Sequence, residues 1–114
     1  KQLNSSQAYM QVRIKENSLV AKIAAAKMKA VKVAIVFGST IHLYNTSRKE
    51  FLSNKEWVCH ELKHVEQYKQ NGFVRFISKY LFDWMKNGYY NNKFEIEARE
   101  NEKSDSMIEK VEFI

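Results

Sequence analysis

The chain is predicted to fold as an α+β domain, a small antiparallel or mixed sheet packed on a well-capped helix with two further C-terminal helices. Three observations predict it. Apolar residues recur at every second position in "YMQVRIK" and "TIHLYN", the period of a half-buried strand. They recur at helical spacing through the second half of the chain. No proline, low-complexity run or internal repeat marks a linker, and 114 residues are enough for one modest core and too few for two.

The elements follow in order. In "YMQVRIK", Met10, Val12 and Ile14 alternate with Gln11, Arg13 and Lys15. Asn17 or Ser18 can then cap a helix in which Leu19, Ile23 and Ala26 share one face, with Val20 and Ala24 beside them. "AVKVAIVF" is rich in β-branched residues, "TIHLYN" alternates again, and "GS" between them reads as a hairpin break. Ser53 and Glu56 form an S-x-x-E capping box for a helix that can run to Gly72, a residue suited to a C-terminal cap. A helix over roughly 74–87 carries Phe76, Ile77, Tyr80, Leu81 and Trp84, and "NG" ends it. Asn91 or Asn92 can start a last helix through "KFEIEARENEKSDSMIEK".

Composition narrows the function. Hydrophobic residues at 45% and charged residues at 28% match an ordinary soluble globular protein. "VKVAIVF" is too short to span a bilayer and lysine interrupts it. No signal-peptide pattern is visible, and because the chain starts at Lys1 without a methionine its compartment is not read from its first residues. Residues 1–94 hold 16 basic and 6 acidic side chains, whereas residues 95–114 hold 3 basic and 7 acidic ones. A basic body with an acidic end could favour an anionic partner. The lysines are scattered as on a solvated face, so nucleic acid is not the expected partner. The single cysteine, Cys59, rules out an internal disulfide and a multi-cysteine zinc site, leaving histidine and carboxylate as ligands for any metal.

One stretch carries chemistry. "WVCHELKHVEQYKQNG" places His60 and His64 four residues apart, so both imidazoles leave one helix face a turn apart. Both nitrogens can then reach one zinc ion at about 2.0–2.1 Å. Glu61 borders the same face and can act on a water at the metal without ligating it, taking its proton as it attacks a carbonyl. That is the physical content of H-E-x-x-H. A catalytic zinc keeps three protein ligands and one open position, and the third is expected from "FEIEAREN", which offers Glu95, Glu97 and Glu100. Phe94 and Ala98 are a turn apart and expected to be buried. Glu95 flanks that stripe and ranks first, with Glu97 second.

"HELKHVEQY", with 30 residues between His64 and the following "EIEAR", resembles the gluzincin class of zinc metallopeptidases, in particular its small single-domain members. In that class a second helix supplies a glutamate ligand in an E-x-x-A-D pattern, whose glutamate falls on Glu95 and whose alanine falls on Ala98. The resemblance implies a minimal zincin-like domain over residues 1–114, with Zn2+ on His60, His64 and Glu95, and Glu61 as general base and later general acid in peptide-bond hydrolysis. It also implies that "TIHLYN" is the edge strand along which an extended peptide docks. Arg99 stands where the class carries an aspartate that steadies a ligand histidine. An arginine cannot accept a hydrogen bond from an imidazole, so metal affinity or turnover is expected to be reduced.

Other residues have blander expectations. His42 is an exposed strand residue that could face the cleft. Tyr89 and Tyr90 could stabilise an oxyanion, with packing and capping as their ordinary jobs. Cys59 adjoins His60, but helix neighbours diverge by about 100°, so a buried thiol is expected. The aromatics from Phe73 to Trp84 suit a helix packed between others, or a partial partner surface. The expected partners are a peptide or protein substrate and a regulatory domain or chain. The alternatives are a metallopeptidase-like module that binds metal or a protein without turnover, and a basic interaction domain whose histidines are incidental.

Overall fold

The computed structural model describes residues 10–104 and 106–114, so Tyr9 of the first predicted strand lies outside the described residues. β1 (Met10–Lys15) alternates as expected, with Val12 fully buried and Gln11, Arg13 and Lys15 facing water. α1 (Leu19–Met28) begins at Ser18, whose hydroxyl accepts from the Ala21 amide. Its buried residues are Ala21 and Ala25, while Leu19 and Ile23 stand in solvent. The predicted face was the wrong one. "LVAKIAAAKM" is apolar almost all round, and small alanines let the helix approach Val33, Ile35 and Tyr44 of the sheet more closely than leucine and isoleucine would.

β2 (Val33–Phe37) and β3 (Thr40–Tyr44) form the expected antiparallel hairpin. Its two-residue turn uses Gly38 at φ +64°, a left-handed geometry such turns require and side-chain-bearing residues avoid. β1 runs parallel to β3 and also to β4 (Val111–Phe113), giving the order β2–β3–β1–β4. "TIHLYN" is therefore not an edge strand. β3 has β2 on one side and β1 on the other, and the edge facing the site is β2.

The helices are α2 (Arg48–Leu52), α3 (Lys55–Asn71), α4 (Phe73–Asn87) and α5 (Lys93–Glu100). Among the described residues, none is long and apolar enough to cross a membrane. The cap of α3 is Asn54, whose side chain accepts from the Trp57 amide. Ser53 instead closes the short α2, donating its hydroxyl to the Glu50 carbonyl at 2.7 Å. Gly72 ends α3 as expected, at φ +86°. The last helix is shorter than predicted: it stops at Glu100, and 3-10 turns over 101–103 and 108–110 lead into β4. Arg48 holds that end of the chain by donating to the Phe113 and Ile114 carbonyls, each at 3.0 Å.

α3 and α1 lie on opposite faces of the sheet. Val58, Leu62 and Val65 of α3 pack with Val36, Ile41 and Leu43, whereas Ile35 and Tyr44 turn toward α1. The core between α3 and the sheet makes α3 a rigid platform for the side chains on its other face.

Candidate metal centre

α3 carries His60, Glu61 and His64; α5 carries Glu95; α4 carries Tyr80. The His60 and His64 rings sit 5.1 Å apart, centre to centre. Both Nε2 atoms converge on a single oxygen of Glu95, at 3.0 Å from His60 and 3.2 Å from His64. The other Glu95 oxygen accepts from the Tyr80 hydroxyl at 2.5 Å. Glu61, His64 and Glu95 are buried and His60 is nearly so.

α5 is held at that distance by a short set of polar contacts. Fully buried Asn92 accepts from the Phe94 amide at 2.8 Å and donates to the Tyr80 carbonyl at 3.0 Å. It caps α5 and ties it to α4 at once. From α3, Gln67 donates to the Phe94 carbonyl at 3.1 Å and to Glu97 at 2.7 Å. Glu97 therefore braces Gln67 and is not part of the cluster.

Those contacts fix the protons. Because the Gln67 amide nitrogen is spent on two acceptors, its oxygen is the atom 2.8 Å from His64 Nδ1, and Nδ1 must donate to it. His60 Nδ1 likewise faces a carboxylate, Glu102 Oε2, at 2.8 Å. In a neutral imidazole with Nδ1 protonated, Nε2 presents a lone pair. Two lone pairs and a carboxylate oxygen would then point at one another, an arrangement that needs a positive charge between them. Either extra protons or a metal ion supplies it.

The donor set fits a metal. The three donor atoms lie within 4.8 Å of one another. Ligands at about 2.0–2.1 Å on a tetrahedral ion stand about 3.3 Å apart, close to the observed Nε2–Oε1 separations. Imidazole rings whose far nitrogen is already hydrogen-bonded are the usual form of histidine ligands.

Without metal, the protons respond to this crowding. Burial works against charge on both histidines, but the Glu95 carboxylate outweighs it and raises both, with Glu102 adding to the effect on His60. Burial alone would raise Glu95, but the two imidazoles hold its carboxyl well below the usual range. Glu61 is less well supported: burial, with the Glu95 charge adding to it, outweighs His64 and a hydrogen bond from Trp57 and pushes its carboxyl up to about 8.

A cavity of about 330 Å³ opens beside the cluster. It is lined by His60, Glu61 and His64 of α3, by β2 with Ala24 and Met28 of α1, and by α4 with Ile77, Leu81 and Trp84. Tyr89 lines it and stands near Glu95; burial first, then that charge, raises its phenol. Tyr90 lies elsewhere, with the Arg99 guanidinium 4.1 Å over its ring and donating to its carbonyl. His42 is on the α1 side of the sheet, 2.8 Å from the Ser18 hydroxyl, and takes no part in the cavity. Cys59 is buried, as expected.

Arg99 thus points away from the imidazoles, and the carboxylate on a histidine comes from Glu102 instead. Sequence reasoning missed Glu102 and Gln67. Both had a signal: Glu102 follows Glu95 by seven residues, two helical turns on one face, and Gln67 follows His64 by three. The 3-10 turn carrying Glu102 is fastened to α3 by Asn101, which donates to the Cys59 carbonyl at 2.9 Å.

A model of one protein family, described as the eCIS core domain, matches residues 4–72, a span that includes both histidines and Glu61 and ends before Glu95. No curated protein and no solved structure matches the chain.

Proposed function

The chain belongs to the eCIS core domain family, and from the donor set of its buried cluster alone we propose that it is a zinc-dependent peptidase. The convergence of both Nε2 atoms on one Glu95 oxygen, with both Nδ1 atoms already committed, carries the proposal. His60, His64 and Glu95 would hold the ion. When bound, zinc supplies Lewis acidity and brings the pKa of a water toward about 7. Glu61 takes a proton from the attacking water and later passes it to the leaving amine. Tyr80 keeps Glu95 oriented through its 2.5 Å hydrogen bond, and Tyr89, which also lines the cavity, is a phenol that can meet an oxyanion.

An extended peptide docks along β2 rather than β3. The Val36 carbonyl faces the open edge, where it accepts from the Tyr68 hydroxyl at 3.1 Å. By the two-residue alternation of a strand, Ala34 points its backbone groups the same way, free to pair with an added strand. Hydrolysis of casein or a peptide library, abolished by a chelator and restored by zinc, is the expected behaviour. Unchanged hydrolysis in chelator would contradict the proposal. The other reading, a module that holds metal or a protein without turnover, is favoured by the family's name, since an extracellular contractile injection system is a protein-assembly setting. It predicts metal binding without hydrolysis.

Two further results are expected. Glu102→Ala should weaken zinc binding by about 10–100-fold in competition with a chromophoric chelator, with the far-ultraviolet circular dichroism unchanged. Equal affinity would mean that Glu102 does not orient His60.

The second concerns pH. A raised histidine stabilises the metal-free fold fully below its unfolded value of about 6.5 and less as pH climbs through the folded one. Glu61 acts in the same direction, costing stability as pH rises from about 4.5 to about 8. Zinc displaces these protons and so binds more tightly as pH rises. The Tm gap between zinc-saturated and chelator-treated protein should therefore widen from about pH 6 to about pH 8. A constant gap would contradict the assignment.

A further inference from the structure

α4 is a 15-residue helix that gives the core only one fully buried residue, Phe76. The rest of its apolar content divides in two. Ile77, Tyr80, Leu81 and Trp84 turn toward the cavity. Val74, Phe82 and Met85 do not line it, and they are 75%, 69% and 84% exposed. At helical spacing Val74 and Met85 share one side, with Phe82 next to them and the cavity residue Leu81 bordering them.

The charges on this helix are ordered too. Arg75, Lys79 and Lys86 fall on one stripe, directly beside Phe82, and all three are exposed. Lys79 also donates to Asn71, which leaves its charge in place. Asp83, the one acid of α4, is turned to its own protein: it accepts from the Lys93 amide at 2.8 Å and from Asn87 at 3.3 Å. The outer surface of α4 is therefore an apolar stripe edged by a purely basic row.

We propose that the outer face of α4 docks on an anionic lipid surface, lying in its plane with Val74, Phe82 and Met85 in the headgroup–acyl boundary and Arg75, Lys79 and Lys86 on the lipid charges. An apolar stripe beside a basic one is what a helix needs to lie in that boundary, and each basic residue near an anionic leaflet adds attraction. The three apolar side chains protrude singly from a convex helix, which suits a deformable surface. A second copy meeting the same face would bring two basic rows together. Since α4 also walls the cavity and holds Glu95 through Tyr80, docking would set the cleft mouth beside the lipid. The inference does not depend on zinc or on hydrolysis.

Co-sedimentation with vesicles tests it, using phosphatidylcholine alone and phosphatidylcholine mixed with phosphatidylglycerol, both at low salt. The wild type should partition onto the phosphatidylglycerol vesicles at least about tenfold better than onto phosphatidylcholine alone. Phe82→Asp with Met85→Asp, and separately Arg75→Glu with Lys86→Glu, should each lower that binding by about tenfold or more. Neither pair lines the cavity or packs in the core, and a wild-type thermal midpoint would confirm that each variant is folded. Equal binding to both vesicle types, or a Phe82→Asp, Met85→Asp variant that binds as the wild type does, would overturn the proposal. So would a dimer in light scattering that this variant abolishes, which would make the face a contact between copies.

Discussion

Glu61→Gln is expected to keep its zinc and to lose hydrolysis by about 10²–10⁴-fold. The side chain lines the cavity between His60 and His64 along α3, yet its carboxylate is not among the three donor atoms that converge there. An amide of the same shape can fill the space and cannot take a proton. Burial already pushes the Glu61 carboxyl up to about 8 in the metal-free protein, which makes its ionised form a stronger base but the minor form at neutral pH. A bound cation would offset part of that effect. Metal content and peptide turnover measured on the same preparation separate the two roles. A Glu61→Gln protein that hydrolyses peptide at the wild-type rate would show that Glu61 is not the base. One that loses its metal would place it among the ligands.

Glu95→Ala is expected to have the larger structural effect. Glu95 is the shared partner of both imidazoles and of the Tyr80 hydroxyl, and it is buried. Removing it leaves two crowded histidines and a phenol without their acceptor. Breaking a buried charge pair by deleting one member costs about 3–5 kcal/mol, and the metal-free variant should be destabilised on that order in urea. Its zinc affinity should fall by more than the about 10–100-fold expected from losing a partner beyond the ligands. Glu97→Ala is the matched control, because Glu97 touches Gln67 and not the centre. A Glu95→Ala protein with wild-type stability and zinc affinity would contradict the proposed ligand set.

How much of this could be read beforehand depended on how local the signal was. His60, Glu61 and His64 were legible because a four-residue spacing on a capped helix fixes two side chains on one face whatever surrounds it. Glu95 was legible through its place beside the Phe94–Ala98 stripe and through the E-x-x-A pattern it opens, since a single glutamate on an amphipathic helix is ordinarily just solvated. Glu102 lies beyond the end of α5, where the α-helix tightens into a 3-10 turn, and its two-turn offset from Glu95 is a weak signal on its own. The strands β1, β2 and β3 announced themselves by pattern. Their order did not, because the parallel insertion of β1 between β3 and β4 is a long-range pairing that no window of sequence contains. That is why "TIHLYN" reads as an edge strand, whereas the edge beside the cavity is β2. β4, three residues long, is too short for any periodicity. For α1, burial was decided by close approach to the sheet, which favours alanine over the bulkier residues a hydrophobic pattern picks out.

The most direct measurement is the metal content of protein purified without added zinc or chelator, read by elemental mass spectrometry beside a His60→Ala, His64→Ala double variant. About one zinc per chain in the wild type and none in the variant is the predicted result. Little metal in both, with no uptake when zinc is added, would mean that the two histidines and Glu95 meet around protons alone, and that this fold holds no metal.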